Sequence, residues 1–227
     1  MMLVNPFRFG VGPVMDGLVL WLDASQIVGL NDGDPVSTWP DSSGNGNDAT
    51  QATASKKPTY ETGVQNGLPV VRLDGVDDFL RTASFTAIPQ PLTYFVVLNS
   101  VNGNSGQVVF DGVVSSPRCL LGIFPINTWD MYSNGADTVA GVVSSGSFNL
   151  LTALFSGSSS TLTINSGIPV TVNPGTDGTT GVSVGVRFSD TQNWGGDVGE
   201  LLFYNRALST AEREANEAYL RNKWGTP

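Results

Sequence analysis

Histidine is absent from this 227-residue chain, and cysteine occurs once, as Cys119. Without histidine the chain cannot build a Ser-His-Asp or Cys-His catalytic system, and it lacks the commonest zinc ligand. A single cysteine allows no intrachain disulfide. Because Cys119 begins the apolar run Cys-Leu-Leu-Gly-Ile-Phe, we expect a buried, inert thiol there. These absences argue against nucleophilic catalysis, most zinc chemistry and a disulfide scaffold.

Positive charge and long apolar runs are also scarce. The chain has 11 Lys and Arg against 20 Asp and Glu, a net charge of -9. An acidic surface repels phosphate backbones, so we expect no nucleic-acid binding. No apolar run has the length of a membrane-spanning helix, so we expect no membrane insertion. The first residues, broken by Pro6 and Pro13, do not read as a signal peptide.

Short apolar runs separated by turn residues dominate what remains. Leu18–Asp23, Leu92–Leu98 and Val182–Phe188 are typical strand-like runs, and 27 Gly and 13 Pro supply turns between such runs. Thr161–Ile164 and Ile168–Val172 flank a short Gly-containing loop, which is typical of a hairpin. The chain is 40% hydrophobic, enough for one sizeable core. The pattern predicts an all-β sandwich or barrel.

The chain ends in a strand followed by a capped helix. Val198–Tyr204 is apolar on both faces apart from Glu200, as in a strand covered by two layers. Ser209 precedes Glu212 by three residues, the spacing of a capping box, and Gly225 stands where a left-handed C-cap belongs. The helix presents an apolar face of small residues with one tyrosine: Ala211, Ala215, Ala218 and Tyr219.

Glu200 is an acid within an apolar strand. A buried carboxylate needs a partner, or it takes up a proton. Arg72, Arg206 and a bound cation are the candidate partners. We favour a structural ion pair over the cation.

The segment from Asp41 to Asp48 is dense in oxygen donors. Asp41, Ser43 and Asn45 match the first half of an EF-hand calcium loop. The match then fails, because Ala52 stands where a bidentate glutamate is needed. A tight turn and a calcium site of another kind both remain open.

Three carboxylates, those of Asp74, Asp77 and Asp78, fall in a turn between two strands. Paired carboxylates can hydrolyse glycosides. However, the strand-borne Glu-x-Asp-x-Glu pattern of sandwich-fold glucanases occurs nowhere in the chain. We therefore expect a structural turn and a protein that is not an enzyme.

Tryptophans in loop-like stretches are the best candidates for ligand contact. Trp129 with Asp130 and Tyr132, and Trp194 with Asn193, group an aromatic ring with hydrogen-bonding side chains. Exposed rings can stack on sugars while the polar groups bond the hydroxyls. The alternative is that these rings cover the ends of the sandwich, and both readings stay open.

These segments together resemble the concanavalin A-like lectin/glucanase superfamily, specifically the laminin-G-like jelly-roll domains of bacteria and their phages. The matching pieces occur in the family's order and are Gly17–Ser25, Trp39–Asp48, Lys57–Tyr60, Asn66–Leu80 and the terminal strand and helix. The resemblance implies an antiparallel two-sheet jelly-roll sandwich with one short C-terminal α-helix. Its domain covers residues 17–227, and residues 1–16 form an extended arm.

The resemblance also implies what such a domain binds. Many members bind glycans or protein surfaces, some with a calcium ion. In family terms Asp41, Asn45 and Glu200 are the positions for Ca²⁺. The acidic catalytic motifs of the superfamily's enzymes are missing from this sequence.

The added arm and the missing signal peptide lead to a functional hypothesis. We expect a phage virion structural protein, made in the host cytoplasm, that presents a lectin-like domain to host-surface glycans. Its arm would dock on other virion proteins, and the protein could form a homo-oligomer. The alternatives are a purely structural capsid or tail decoration protein and an adhesin domain at the bacterial cell surface. A glycoside hydrolase is disfavoured because no acid/base pair can be named.

Overall fold

The computed structural model describes residues 12–101, 103–135 and 138–227. The strands are β1 Leu18–Asp23, β2 Asp34–Pro35, β3 Thr38–Trp39, β4 Ala49–Thr50, β5 Thr59–Gln65, β6 Leu68–Asp74, β7 Leu80–Thr82, β8 Leu92–Ser100, β9 Gln107–Asp111, β10 Leu120–Ile123, β11 Thr128–Tyr132, β12 Thr138–Val142, β13 Phe148–Phe155, β14 Ser160–Ile164, β15 Val170–Val172, β16 Ser183–Val184 and β17 Gly195–Tyr204. The helix α1 spans Thr210–Trp224. Two short 3-10 turns lie at Ala24–Gln26 and Ala54–Lys56.

The strands form two antiparallel sheets packed face to face. The first sheet runs β15-β14-β13-β8-β17-β6-β5-β2, with β1 paired to β17. The second runs β12-β11-β10-β9-β16-β7-β4-β3. The predicted hairpin is present as β14 and β15. The predicted all-β jelly-roll sandwich with a C-terminal helix is therefore confirmed.

Strand β17 is shared by three neighbours. One edge pairs with β8, while the other pairs with β6 along its first half and with β1 along its second. The register with β8 shifts between Val198 and Glu200, where Gly199 intervenes. A Cβ at Gly199 would lie 2.8 Å from the Trp224 ring. Glycine there lets the helix pack close against the strand.

The core between the sheets is rich in aromatic rings. The Tyr94 ring stacks on Phe110 at 4.5 Å and on Phe203 at 4.4 Å between centroids. Trp39 lies in β3 and has no exposed surface. Cys119 is buried as expected, and burial raises the pKa of its thiol to about 12.

The helix begins and ends where the sequence predicts. The Ser209 amide donates to Glu212 Oε2 at 2.9 Å, the Glu212 amide donates to Ser209 Oγ at 3.4 Å, and Gly225 is left-handed with φ 63°. The predicted apolar face is wrong, because Ala211 and Ala215 are exposed. The buried face carries mixed side chains, namely Asn216, Glu217, Leu220 and Trp224.

Hydrogen bonds from buried polar side chains determine which side of the helix faces the first sheet. The Asn216 amide donates to the Tyr204 hydroxyl at 3.0 Å, and the Thr152 hydroxyl donates to Glu217 Oε1 at 3.0 Å. The alanines are left on the outer side because the helix turns its hydrogen-bonding residues toward the first sheet.

Of the predicted arm, residues 1–11 lie outside the described part of the chain. The following residues lie against the sandwich: the Val14 amide donates to Asn216 Oδ1, and the Tyr204 hydroxyl donates to the Val14 carbonyl, both at 2.8 Å. A docking role for the arm stays a prediction. Among the described residues, no helix combines the length and apolar character needed to cross a membrane.

Candidate functional site

The residues predicted to bind a ligand separate according to the strand alternation of β11. Neighbouring side chains on a strand point to opposite faces. Trp129 and Met131 therefore belong to the core, whereas Asp130 and Tyr132 lie on the other face of the second sheet. Trp129, Asp130 and Tyr132 are close in sequence, but the alternation of side chains along the strand places Trp129 on the opposite face of the sheet from the other two.

Trp129 and Trp194 are not surface residues. Both are 0% exposed, and their rings stack at 6.1 Å between centroids with an interplanar angle of 26°. The reading of these rings as exposed loop aromatics is wrong. Trp129 faces inward from β11, and the amide of Trp194 is held by the Gly185 carbonyl at 2.8 Å, so the ring packs inside the sandwich.

Asp130 and Tyr132 line a cavity of about 270 Å³ that we call the face cleft. Its other lining residues include Arg118, Phe124, Arg187 and Gln192. Tyr132 is half-buried, while Asp130 is 1% exposed and accepts a hydrogen bond from the Thr138 amide. The cleft therefore combines aromatic surface with a carboxylate, an amide and two guanidinium groups.

Arg118 is fixed at the base of the face cleft by a buried ion pair. The residue is 4% exposed, and its Nη1 lies 2.7 Å from Asp111 Oδ2. The same carboxylate accepts the amides of Gly112 at 2.8 Å and Phe188 at 3.0 Å. Burial raises the pKa of Asp111, while Arg118 and these amides act to lower it. Asp111 thus holds both the guanidinium and the start of the 188–193 loop.

Aromatic rings frame both guanidinium groups. The Arg118 guanidinium lies 4.4 Å from the Tyr132 ring centroid and 4.9 Å from that of Phe188. The Arg187 guanidinium lies 5.4 Å from the same Phe188 centroid. Stacking on rings keeps such planar groups in place and partly dehydrated.

A second cavity, the rim cleft, lies at the end of the sandwich and measures about 470 Å³. It is lined mainly by small and amide residues, among them Asp74, Gln107, Gln192, Asn193 and Gly195. Asn193 donates to the Val76 carbonyl, and Gln107 Oε1 accepts the Gly195 amide at 3.0 Å. Asn193, a predicted binding residue, thus lines a cleft, whereas its buried neighbour Trp194 does not.

Gln192 lines both clefts. Its side-chain Oε1 accepts Arg187 Nη1 at 3.1 Å, and its carbonyl accepts the Val108 amide at 3.0 Å. Its backbone is left-handed with φ 60°. The sequence analysis missed Gln192, Arg118 and Arg187. An arginine interrupting the apolar run Val182–Phe188 was the available signal for Arg187.

The acidic turn beside the rim cleft is mostly self-satisfied. Asp74, Asp77 and Asp78 can bring one carboxylate oxygen each within 4.8 Å of one another. Asp74 Oδ1 accepts the amides of Val76 at 2.8 Å and Asp77 at 3.2 Å, and Asp78 Oδ2 accepts the Asp74 amide at 3.1 Å. Burial, followed by the nearby Asp74 charge, raises the pKa of Asp78 to about 6. These bonds support the reading as a structural turn.

Glu200 is an ion-paired residue, as favoured, but neither predicted arginine is its partner. Lys223 Nζ lies 2.7 Å from Glu200 Oε2 and 2.5 Å from Asp23 Oδ2. Three further donors complete the site: the indole groups of Trp21 and Trp224, each at 2.7 Å, and the Tyr219 hydroxyl at 2.9 Å.

The two predicted arginine partners of Glu200 have other contacts. Arg72 pairs with Asp197 at 2.6 Å, and Arg206 pairs with Glu212 at 2.8 Å.

The residues proposed for calcium do not fit a shared cation site. Asp41 Oδ1 accepts the amides of Trp21 at 3.0 Å and Ser43 at 2.9 Å, and Asn45 donates to the Leu18 carbonyl at 2.9 Å. Glu200 already has an ammonium neighbour, which a cation would have to displace. The loop therefore behaves as a tight turn that ties itself to β1.

Comparison with known proteins finds likeness in solved structures and none in sequence. No protein-family model matches the sequence, and no curated protein matches it. A Trypanosoma rangeli sialidase solved in complex with sialic acid matches 93% of this chain at TM-score 0.62 and 13% identity. This chain spans 34% of that sialidase.

A second solved structure matches over its whole length. It is domain 4 of an extracellular GH43 arabinanase from Geobacillus stearothermophilus, in complex with arabinotriose. The match covers 88% of this chain and 97% of that domain, at TM-score 0.59 and 15% identity. At such identities the likeness shows the β-sandwich fold.

These comparisons overturn the hypothesis of a phage virion protein that presents a lectin-like domain. The fold is shared with sialidases and an arabinanase domain, and nothing in the matches supports a virion component. The hypothesis rested on the N-terminal arm and the missing signal peptide, and neither feature identifies a component of a virus particle. The fold of the chain is one found in glycoside hydrolases.

Proposed function

We propose that this chain is an oligosaccharide-binding domain that holds a glycan across the face cleft and the rim cleft. The observation that carries the proposal is that Gln192 lines both cavities. Cavities of about 270 and 470 Å³ lie near the range typical of small-molecule sites. A ligand of several linked rings fits this shape better than a compact one.

The chemistry of the lining suits sugars. Sugar hydroxyls pair with amides, carboxylates and guanidinium groups, while the apolar face of a sugar ring packs on aromatic carbon. The face cleft offers Tyr132 and Phe124 beside Asp130, and the rim cleft offers the amides of Asn193 and Gln107. The arabinanase domain solved with arabinotriose supports this reading, because its fold is matched over 97% of its length.

Binding, rather than hydrolysis, is the activity we propose. Glycoside hydrolysis needs two carboxyl groups placed on either side of the scissile bond. In the face cleft Asp130 is the carboxylate, and it is buried and bonded to the Thr138 amide. In the rim cleft Asp74 commits one oxygen to turn amides. This supports a non-enzymatic role, and the motif order in the sequence supports the laminin-G-like type of sandwich.

A glycan array with matched variants tests the proposal. Wild type should bind a subset of oligosaccharides, and Gln192→Ala should weaken that binding by about tenfold because it removes a hydrogen-bonding group shared by both clefts. Gln26→Ala makes the same change at an exposed residue and should bind as wild type does. Absence of binding by the wild type, or equal binding by both variants, would contradict the proposal.

A further inference from the structure

The face cleft brings the side chains of two arginines together. We infer that it selects a sugar bearing a carboxylate, a residue of the uronic-acid class, within the glycan. The inference rests on the proposed oligosaccharide-binding function and names the kind of sugar that enters this cleft. Its evidence is the placement of Arg118 and Arg187.

The face cleft brings two guanidinium groups together on a strongly acidic protein, whose net charge is -9. Arg118 and Arg187 line the cleft beside one carboxylate, that of Asp130. Asp111 neutralises Arg118 through the buried ion pair. What the cleft offers an anion is therefore the directed N–H groups of two guanidinium forks rather than an excess of positive charge.

Arg118 is a buried anion-binding group held in a fixed orientation, rather than a mobile charge on the surface. It is 4% exposed, lines the cleft, and is oriented by Asp111 through Nη1. The Asp111 carboxylate divides its acceptor capacity among Arg118 and the amides of Gly112 and Phe188. Asp111 accepts from Nη1, and the guanidinium as a whole is a planar fork of the shape that matches a carboxylate.

Arg187 has unused donors beside the same cleft. Among the described residues, its side chain makes one hydrogen bond, from Nη1 to Gln192 Oε1. Its Nε is shielded from solvent and has no acceptor in that part of the chain. A buried N–H without an acceptor is unfavourable, and a ligand oxygen entering the cleft would relieve it after a small side-chain movement.

The remaining lining argues for a carboxylate over a phosphate group. Asp130 faces the same cavity, and its negative charge repels the dianion of a phosphate monoester more strongly than it repels a carboxylate, which is a monoanion. A guanidinium fork and a carboxylate are both planar, so the two match through parallel N–H···O bonds.

Isothermal titration with matched sugars tests this assignment. The probes are trimers of galacturonic, glucuronic and mannuronic acid, each beside its carboxyl-reduced trimer of galactose, glucose or mannose with the same linkage. The wild type should bind at least one acidic trimer about tenfold more tightly than its reduced form, with affinity that falls as salt rises. Equal affinity for the two forms, or tighter binding of a phosphorylated trimer, would overturn the assignment while leaving glycan binding intact.

Variants locate the effect in the cleft. Arg187→Gln should weaken binding of the acidic trimer about tenfold and weaken binding of the neutral trimer by a clearly smaller factor. Arg221→Gln makes the same change on the exposed side of the helix and should alter neither affinity. An equal loss of affinity for both trimers in Arg187→Gln, with unchanged melting, would show that the arginine does not recognise the carboxylate. If no array glycan and no trimer binds, the proposed function fails along with the inference.

Discussion

Glu200 shows how a carboxylate with no exposed surface finds hydrogen-bond partners inside the fold. Four side-chain donors reach its two oxygens, from Trp21, Tyr219, Lys223 and Trp224. Burial and the neighbouring Asp23 raise its pKa, while Lys223 and Trp224 act to lower it. The site joins β17, β1 and the helix, so its role is structural.

Removing this carboxylate should destabilise the fold strongly. Glu200→Ala leaves three donors, those of Trp21, Tyr219 and Trp224, without their acceptor, and leaves Lys223 with Asp23 alone. It should lower the free energy of unfolding by about 3 to 5 kcal/mol. Glu61→Ala, at a half-buried residue 3.5 Å from Arg72, should cost about 1 kcal/mol or less. Urea denaturation measures both, and similar small losses in the two variants would contradict the structural role.

Trp194 supplies a second prediction at this scale. Because the ring is fully buried against Trp129, Trp194→Ala should lower the free energy of unfolding by about 3 to 5 kcal/mol. The more conservative Trp194→Phe should lose less. Denaturation curves decide, and full stability with lost glycan binding would restore the reading of this ring as a ligand contact.

Asp78 gives the stability a defined pH dependence. Its pKa in the folded protein is about 6 against an ordinary value of 3.8, so the folded state keeps the proton to higher pH. The contribution to stability therefore falls as pH rises from 3.8 to about 6. Asp78→Asn keeps an acceptor for the Asp74 amide but cannot titrate. It should therefore remove a pH-dependent fall of about 1 kcal/mol in the free energy of unfolding, a value that allows for solvent screening. Identical pH profiles of unfolding in variant and wild type would contradict this.

At the scale of elements, the C-terminal helix depends on its first turn. Ser209→Ala removes the acceptor for the Glu212 amide and should lower the free energy of unfolding by about 1 kcal/mol. Thr210→Ala, at the next and exposed position, is the control and should be nearly neutral. Equal effects from the two substitutions, measured by thermal or urea unfolding, would argue against the capping box.

Elements were predictable from the sequence where the signal is local. The capping box and Gly225 define the ends of the helix within a few residues of chain, and alternation with turn residues marks the strands. The buried side of the helix was not predictable. It depends on partners far along the chain, since Asn216 bonds Val14 and Glu217 bonds Thr152.

The candidate site was only half accessible to sequence reasoning for the same reason. Asp130, Tyr132 and Asn193 were predicted from their neighbours in the sequence, and they do line the clefts. Trp129 and Trp194 have similar sequence neighbours but lie in the core. For Trp129 the reason is that one step along a strand reverses the direction of the side chain. Arg118 and Gln192 meet only through the pairing of distant strands.

At the scale of the molecule, the two sheets act as a rigid frame for the clefts. The face cleft lies on β10 and β11 beside the 188–193 loop, which Asp111 and Val108 of β9 hold through hydrogen bonds. A site fixed by strands loses little conformational entropy on binding a ligand.

The most direct test of the central claim is an NMR titration of the ¹⁵N-labelled protein with its best array glycan. If the glycan lies across the two clefts, the largest backbone amide shifts should fall on Arg118, on Asp130 to Tyr132 and on Arg187 to Asn193. Shifts concentrated instead on the 41–48 loop or on the C-terminal helix, with these residues unchanged, would contradict the account.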